Sequence, residues 1–570
     1  MPSTATRTSP VLDMLGIAEN AAGTADPVSF GRSLLAAGRG LAGRPLETGA
    51  ALARAAGASG SALVATAEVL LGREATGPAA PEPGDRRFAD PAFGQNPWYF
   101  WLAQSHLLAG RCVDDLLGVA GLSPEDHLKA RVAARFVLDS LAPTNVLPGN
   151  PAALRAAFET GGKSVVRGLR NLLDDVAHNG GWPKQVDDSG FEVGVNMAAT
   201  PGKVVYRSDL IEVLQYEPQT PEVHEIPLLF CPPWINKYYI MDLAPGKSLI
   251  EWAVRRGHTC FAISYRNPDS AMREVTFEDY LRKGPLDAIE VVKEITGAEV
   301  VNTLSVCLGG TLSAIGLAYD AREGRKSVNS ATFLNAHTDF TLKGALGAFT
   351  DEATIDGLEK KMDKRGYLEA RDMARTFDAL RANDLVFSYV VNNWLLGKRP
   401  PAFDLLAWNN DSTRMPARMH SRYLRSCYLR NEFARGEFEV GGAPVDPGAT
   451  DVETYVLSAV DDHIVPWHSA YRTTQLLGGR HRFVLSGGGH IAGIVNPPRA
   501  KAEHWVNDHL PADPDAWLAG ATHHQQTWWE DWSRWIGERA GGKVAARAEL
   551  GSAQHPPLED APGTYVRVRA

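Results

Sequence analysis

The segment that most constrains the fold of this chain runs from residue 300 to residue 312 and reads Val-Val-Asn-Thr-Leu-Ser-Val-Cys-Leu-Gly-Gly-Thr-Leu. An apolar, β-branched run that meets a reactive side chain and then two glycines predicts a buried strand that turns sharply into a helix. Such a turn brings strand and helix backbones close together, so small residues are needed two positions before and two positions after the turn residue. Ser305 and Gly309 occupy these positions. The turn therefore predicts Cys307 as a nucleophile, with a buried, inert cysteine as the alternative.

Cysteine at this position also restricts the chemistry. Serine is the commoner nucleophile in such a turn, but a thiol exchanges acyl groups with another thioester at little energetic cost. Cys307 therefore points to thioester chemistry, provided that an acid and a base follow it in the chain.

An acid candidate follows the apolar run at residues 455–460. A carboxylate at the C-terminal end of a strand lies at the ligand-facing edge of an open α/β sheet. Asp462 stands two residues before Ile464, within an Asp-x-Ile-Val-Pro turn, and is the predicted acid. Asp461 is the second choice, and an ordinary acidic residue in a surface turn is the alternative.

A base candidate, His490, lies in the glycine-rich loop that follows a short predicted strand at residues 483–485. Loops at strand ends carry catalytic groups because a rigid scaffold positions them. His490 follows Asp462 by 28 residues, which leaves room for one helix and one strand. The order nucleophile, acid, base is that of α/β-hydrolases. The sequence therefore predicts a triad of Cys307, Asp462 and His490.

The rest of the chain predicts an α/β fold. From about residue 191, short apolar runs alternate with helical segments, which favours a mainly parallel, doubly wound sheet. The predicted strands are 203–206 and 211–215 as a hairpin, then 227–231, 259–264, 300–306, 331–336 and 455–460, and the predicted helices include 248–256, 277–295 and 526–538. We expect a helical and linker segment over 1–85, a helical N-terminal domain over 86–200, and an α/β-hydrolase catalytic domain over 201–570. An irregular, helix-rich insertion at about 340–440 predicts a cap over the active site.

Composition excludes several classes of protein. The formal net charge is −9 and no long basic run is present, so nucleic acid is not an expected partner. The five cysteines are dispersed without a Cys-x-x-Cys spacing, which indicates neither a zinc site nor a disulfide framework and fits a reducing cytosol. No signal segment and no transmembrane segment is expected. The pair His523 and His524 lacks companion ligands, so we expect no metal, and no cofactor is indicated.

The motifs taken together resemble the polyhydroxyalkanoate synthases, over roughly residues 85–570. The similarity is carried by the Cys307 turn and by these segments: 231–240 (Cys-Pro-Pro-Trp-Ile-Asn-Lys-Tyr-Tyr-Ile), 264–269, 383–385 with 392–393, 408–416 (Trp-Asn-Asn-Asp-Ser-Thr-Arg-Met-Pro), 462–467, 489–498 and 562–566. The Trp-Ile-Asn-Lys-Tyr-Tyr form and the length are class I-like, whereas residues 85–97 and 158–192 are nearer to class II. The family commonly has glycine where this chain has Ser305.

The resemblance implies an acyltransferase that polymerises (R)-3-hydroxyacyl-CoA into a polyester and releases CoA. The coenzyme A thioester is the substrate, and no cofactor is implied. Cys307 would carry the acyl group as a thioester, His490 would move the proton and Asp462 would orient His490. The resemblance also implies a homodimer, a growing polyester chain as a partner, and a cytoplasmic enzyme associated with the surface of polymer granules.

An oxyanion hole in such a site needs two backbone donors. The N–H of Leu308, directly after the nucleophile, is one, and the second is expected from the loop after the strand at 227–231, at Trp234 or Ile235. Trp234 could instead be a wall of the pocket. Asp242 could contribute to the site or cap the helix that follows, and His463 is interpreted as structural.

Two other functions stay open on the sequence alone. One is a hydrolase of the same fold, either a polyester depolymerase or a thioesterase, which would transfer the acyl group to water. The other is a non-catalytic granule-associated protein that kept the fold. The sequence also leaves open the preferred length of the monomer chain.

Overall fold

The computed structural model describes residues 27–570, which form two compact units. The helical unit comprises the described residues up to Asp187 together with Gly347–Leu358 and Asp372–Ala402. The sheet unit comprises Asp188–Leu346, Glu359–Arg371 and Phe403–Ala570. The domain boundaries predicted from the sequence, at residues 85 and 200 and around the cap, stay predictions.

Three of the N-terminal helices begin where the sequence supplies both a side-chain cap and a proline. The helices are α1 (Pro27–Ala42), α2 (Pro45–Leu70), α3 (Pro97–Val119), α4 (Pro124–Ser140), α5 (Pro151–Glu159) and α6 (Lys163–His178). The side chains of Asn96, Ser123 and Asn150 accept backbone N–H groups at the starts of α3, α4 and α5, and a proline follows each of them. Proline suits the first helical position because its missing N–H has no partner there in any case.

Helix α6 has the reverse of the usual amphipathic arrangement. Its buried positions are the small or polar residues Ser164, Gly168 and Asp175. A Cβ atom added at Gly168 would lie 1.8 Å from the carbonyl oxygen of Trp394, and Asp175 accepts the indole N–H of Trp394 at 2.7 Å. Its aliphatic residues are exposed instead: Val166 by 53%, Leu169 by 54%, Leu173 by 60% and Val176 by 57%. A helix normally buries its apolar stripe, so this face of the helical unit is suited to an apolar surface.

One eleven-stranded sheet organises the sheet unit. The strands are β1 (Gly202–Arg207), β2 (Ile211–Tyr216), β3 (Leu228–Cys231), β4 (Cys260–Tyr265), β5 (Val301–Val306), β6 (Val328–Leu334), β7 (Glu453–Ala459), β8 (His481–Ser486), β9 (His504–Val506), β10 (Thr522–His524) and β11 (Glu559–Asp560). Their order is β10-β9-β8-β7-β6-β5-β3-β4-β2-β1-β11. Six central strands are parallel; in sheet order they are β8, β7, β6, β5, β3 and β4. Antiparallel strands flank them on both edges. The predicted α/β class and the starting hairpin are therefore confirmed.

The chain order places the ligand edge of this sheet. After β3 the chain adds β4 on one side and then returns to add β5 on the other side of β3. Ligands bind at such a switch point, beyond the C-terminal ends of the strands. Strand β5 and the end of β3 are fully buried, so the residues that follow them are held by a rigid scaffold.

The remaining helices are α7 (Leu249–Val254), α8 (Phe277–Leu281), α9 (Asp287–Thr296), α10 (Leu308–Arg322), α11 (Glu352–Arg365), α12 (Ala370–Leu380), α13 (Asp404–Asn410), α14 (Ala417–Tyr423), α15 (Trp467–Tyr471), α16 (Thr473–Leu476), α17 (Pro514–Ala519) and α18 (Trp528–Gly537). Among the helices described from residue 27 onward, none is both long enough and apolar enough to cross a membrane.

The prediction of one continuous helix over 277–295 is wrong. The structure has α8, a π-helical turn at Arg282–Leu286, and then α9. Gly284 leaves the helical conformation with φ −95° and ψ −108°, and Pro285 follows it inside the turn. Proline removes a helical hydrogen bond and clashes with the preceding turn, so the break lies where the sequence weakens the helix most.

Candidate active site

Cys307 occupies a strained turn between β5 and α10. Its φ of 50° and ψ of −118° lie outside the regions that a residue with a Cβ normally adopts. Its N–H donates to the carbonyl of Leu334 in the neighbouring strand β6 at 2.8 Å. Strain of this kind persists only where the surrounding structure enforces it. Here the adjacent buried strands β5 and β6 do so.

The small residues predicted around Cys307 are needed because the neighbouring backbone comes very close. A Cβ atom added at Gly309 would lie 2.4 Å from the carbonyl oxygen of Cys231 and 2.6 Å from that of Pro232. Only glycine therefore lets α10 approach the loop after β3. Ser305 fits because its hydroxyl, fully buried, pairs with the hydroxyl of Ser313 at 2.8 Å.

Asp462 and His490 meet as the sequence predicts. His490 Nδ1 lies 2.7 Å from Asp462 Oδ2, and both side chains are buried. The other oxygen of Asp462 accepts the backbone N–H groups of Ile464 at 2.9 Å and Val465 at 2.8 Å. The carboxylate is thus held on both oxygens. Asp461, the second choice, is exposed.

His490 also faces the thiol of Cys307. Burial lowers the pKa of His490, but the charges of Asp462 and Cys307 and their hydrogen bonds to the imidazole raise it by more, so the pKa lies well above its ordinary value. The imidazole therefore favours the protonated form when Cys307 is a thiolate, so it can take up the proton that the thiol loses. The three side chains can act as a nucleophile, a proton carrier and an orienting acid.

The loop that carries His490 is fixed by its backbone. The amide of Asn335 donates to the carbonyl of His490. Further along the loop, the indole N–H of Trp528 donates to the carbonyl of Gly493 at 2.8 Å, and that of Trp529 to the carbonyl of Ile494 at 3.0 Å. Helix α18 buries its tryptophan face and also anchors this loop.

Sequence reasoning missed an aromatic wall beside Cys307. The phenols of Tyr423 and Tyr428 are buried and hydrogen-bonded to each other, and Cys307 is among the charges that act on both. Burial raises the pKa of each phenol, so both stay neutral. The ring of Tyr428 lies 4.8 Å from that of Phe340, and the ring of Tyr423 lies 5.6 Å from that of Trp234. No spacing in the sequence links these residues, because three segments far apart in the chain supply them.

His337 is a second buried histidine near the triad. Its ring lies 4.8 Å from that of Phe340, and its Nε2 lies 3.3 Å from the carbonyl oxygen of Ile464, in the Asp462 turn. Burial lowers the pKa of His337 to about 4. A neutral imidazole at this position packs against the turn without adding a positive charge that would compete for Asp462.

The predicted oxyanion donors lie at two adjoining turns. Leu308 is the first residue of α10, where N–H groups have no partner within the helix. After β3, Pro232 and Pro233 have no N–H, so Trp234 and Ile235 carry the first N–H groups of the loop. The next N–H, that of Asn236, donates to the hydroxyl of Thr413 at 2.9 Å. The predicted donors to an oxyanion at Cys307, the N–H groups of Leu308 and of Trp234 or Ile235, stay predictions.

The other candidates lie elsewhere. Asp242 is buried and accepts hydroxyl hydrogen bonds from Thr200 at 2.5 Å and from Ser248 at 2.6 Å, next to the start of α7. His523 pairs with Glu503 at 3.0 Å on the sheet edge. Within residues 27–570, no group of three or more His, Cys, Asp or Glu side chains is arranged to hold a metal ion.

Two family models match the chain. Residues 84–253 match the N-terminus of poly-beta-hydroxybutyrate polymerase (PhaC), and residues 227–497 match the alpha/beta hydrolase fold. The second match spans the strands that carry Cys307, Asp462 and His490, so the predicted α/β-hydrolase fold is confirmed.

Curated relatives match over most of the chain. Poly(3-hydroxyalkanoate) polymerase 1 of Ectopseudomonas oleovorans is 41% identical over 502 residues, which cover 88% of this chain and 89% of the relative. Poly(3-hydroxyalkanoate) polymerase of Methylorubrum extorquens is 43% identical over 86% of this chain and 82% of its own length. The polymerase subunit PhaC of Cupriavidus necator is 42% identical over 87% of this chain and 85% of its own length.

Proposed function

The chain belongs to the poly(3-hydroxyalkanoate) polymerase family, and from this membership we propose that it polymerises (R)-3-hydroxyacyl groups, supplied as coenzyme A thioesters, through a covalent thioester on Cys307. The observation that carries the proposal is the 2.7 Å contact of the His490 imidazole with the Asp462 carboxylate, in a site where Cys307 lies close enough to raise the pKa of the same imidazole. The enzyme is an acyltransferase, and the product is a polyester and free coenzyme A.

In the first step the sulfur of Cys307 attacks the carbonyl carbon of the coenzyme A thioester. His490 accepts the thiol proton, and Asp462 stabilises the imidazolium that forms. The carbonyl oxygen becomes an oxyanion, which accepts hydrogen bonds from the N–H of Leu308 and from an N–H at Trp234 or Ile235. The carbon–sulfur bond to coenzyme A then breaks, and His490 returns the proton to the departing thiolate.

In the second step the acyl group leaves Cys307. The 3-hydroxyl of another hydroxyacyl group attacks the Cys307 thioester while His490 accepts the hydroxyl proton. An oxoester bond forms, the bond to the sulfur breaks, and His490 returns the proton to Cys307. Each cycle lengthens the chain by one unit, and no cofactor is required.

The aromatic wall favours transfer to a hydroxyl over transfer to water. Trp234, Phe340, Tyr423 and Tyr428 are each at most 3% exposed and pack on one another, and the two tyrosines lie close enough to Cys307 for its charge to raise the pKa of their phenols. An apolar surround keeps bulk water from the thioester, whereas a hydrolase of the same fold must admit it. The same triad would serve a depolymerase or a thioesterase, so this wall is the feature that favours the polymerase.

The proposal includes the partners that the family resemblance implies. These are the growing polyester, a second copy of the chain in a homodimer, and the surface of cytoplasmic polymer granules. The exposed aliphatic face of α6, from Val166 to Val176, supports the last of these, because a polyester surface is apolar and needs no matching shape.

The test uses the purified chain and (R)-3-hydroxybutyryl-CoA. We expect one coenzyme A released for each monomer unit found in insoluble polymer, and neither product from Cys307→Ala. Release of coenzyme A with an equal amount of free 3-hydroxybutyrate and no polymer would favour the hydrolase. If Cys307→Ala makes as much polymer as the parent chain, this thiol is not the nucleophile.

A further inference from the structure

Thr413 makes two hydrogen bonds to the loop that follows β3. Its hydroxyl donates to the carbonyl of Trp234 at 2.9 Å and accepts the N–H of Asn236 at 2.9 Å. The residue is 6% exposed, and 177 residues separate it from Asn236 in the chain. A hydroxyl has one proton to donate, so both of its ordinary roles here are used by this loop.

These two bonds bracket Ile235. The carbonyl of Trp234 and the N–H of Ile235 belong to the same peptide group, which is planar and trans. In a trans peptide the C=O and N–H bonds point in opposite directions. By holding the Trp234 carbonyl, Thr413 therefore turns the Ile235 N–H away from itself.

The direction of that N–H matters because the loop lies against the nucleophile turn. The carbonyl oxygens of Cys231 and Pro232 lie within 2.6 Å of where a Cβ would stand at Gly309, two residues after Cys307. Asn236 has a positive φ of 63°, a conformation that asparagine adopts more readily than other residues with a side chain and that neighbouring contacts can stabilise further. Thr413 supplies such a contact at this residue.

Other residues of the same segment hold the loop further along. The indole N–H of Trp408 donates to the carbonyl of Lys237 at 2.8 Å. Asp411 accepts from the ammonium of Lys237 at 2.7 Å and from the phenol of Tyr239 at 2.9 Å. These bonds fix residues 237–239 and leave Thr413 as the group that sets the peptide at Ile235.

We propose that Thr413 is a positioning residue for the oxyanion hole: it aims the N–H of Ile235 at the acyl oxygen bound to Cys307. The inference rests on the proposed acyl transfer at Cys307. It assigns the second donor to Ile235 rather than Trp234, and it gives the Trp408–Thr413 segment a role in the chemistry. The segment acts through backbone groups, so none of its side chains needs to touch the substrate.

The test compares three substitutions of Thr413 on purified full-length chain. Thr413→Val keeps the shape and removes both hydrogen bonds, Thr413→Ala removes the hydroxyl and leaves space, and Thr413→Ser keeps the hydroxyl. Because the donor serves the transition state, we expect Val and Ala to lower kcat about 10- to 100-fold with KM changed less than threefold. Thr413→Ser should restore kcat to within about threefold of the parent.

Thr474→Val is the matched control. Thr474 is 7% exposed and donates its hydroxyl to the carbonyl of Tyr471 in α15, so it loses a comparable buried bond away from the loop. We expect its kcat to equal that of the parent. Thermal unfolding of every variant identifies losses that come from folding.

Three results would overturn the inference: an unchanged kcat for Thr413→Val, a loss confined to KM, or a Thr413→Ser variant as slow as the valine variant. If neither Val nor Ala folds, Thr413→Ser decides, and a kcat more than tenfold below the parent would count against the proposal. Failure of the proposed function is separate, because the parent would then make no polymer or Cys307→Ala would still make it.

Discussion

At position 490 a buried imidazole can hold the proton of the Cys307 thiol, because a carboxylate faces it on one side and the resulting thiolate on the other. Burial alone would lower the pKa of His490, as it does for His337, whose pKa falls to about 4. The difference between these two histidines is the partner at Nδ1: an Asp462 carboxylate for one, and the hydroxyl of Ser469 for the other. Pairing with a carboxylate is therefore what makes His490 a proton carrier, whereas His337 stays neutral.

Asp462→Asn is expected to lower the pKa of His490, because the main cause that raises it is removed while burial remains. The imidazolium that persists as pH rises past 6.5 in the parent would then lose its proton at a lower pH. We expect kcat to fall about 10³-fold. Titration of the His490 ring by NMR, together with steady-state rates, measures both effects.

Asp461→Asn is the control for that substitution, since Asp461 is adjacent but exposed. It should leave the rate and the His490 titration unchanged. A His490 titration that is the same in Asp462→Asn and in the parent would contradict the account of the charge pair.

The three predicted triad residues could be found from sequence because each directly follows a buried strand in a turn with its own pattern. Thr413, Tyr423 and Tyr428 could not. They act by packing or hydrogen bonding to segments far away in the chain, and only the folded structure brings those segments together.

At the scale of elements, the close approach of α10 to the loop after β3 depends on Gly309. Gly309→Ala would place a Cβ 2.4 Å from backbone oxygen, which cannot move as a flexible side chain can. We expect a loss of about 1–3 kcal/mol in the free energy of unfolding. Because the oxyanion loop would be displaced from Cys307, we also expect kcat to fall about 10²-fold. Denaturant titration and steady-state kinetics test the two effects.

Gly316→Ala provides the comparison within the same helix. Its added Cβ would meet only the ends of two leucine side chains, Leu281 at 3.3 Å and Leu286 at 3.8 Å, and these can rotate away. We expect wild-type kcat for this variant. Equal losses at positions 309 and 316 would mean that α10 tolerates no alanine in general, and the argument for Gly309 would fail.

A strand or helix could be predicted from sequence where its own residues carry a clear pattern. The central strands are buried and lie within two or three residues of their predicted positions. Their segments show no helical spacing of apolar residues that would favour a different structure. The helix over 277–295 failed at Gly284-Pro285, where turn chemistry overrides the helical period. Helix α6 is helical from sequence, but which face it buries is decided by Trp394, more than 200 residues later.

At the scale of the whole molecule, the exposed face of α6 is expected to bind the insoluble product. Replacing Leu169 and Leu173 together by serine should weaken adsorption to poly(3-hydroxybutyrate) particles about tenfold, because two half-exposed leucines lose their apolar area. The melting temperature and the initial rate should change little, as each leucine is more than half exposed. A sedimentation assay with polymer particles measures the binding.

Leu558→Ser removes a leucine of similar exposure, 52%, from the sheet unit. We expect parental adsorption for this control. If the α6 double variant adsorbs as strongly as the parent, another surface binds the polymer.

The central claim, that the acyl group is carried on the sulfur of Cys307, is tested most directly by trapping it. Butyryl-CoA lacks the 3-hydroxyl that the next cycle needs, so the acylated enzyme should accumulate. Peptide mass spectrometry is predicted to find one butyryl group per chain, on Cys307 and removable by hydroxylamine, and none in Cys307→Ala. Release of coenzyme A without any acyl group on Cys307, or with the group on another residue, would contradict the account.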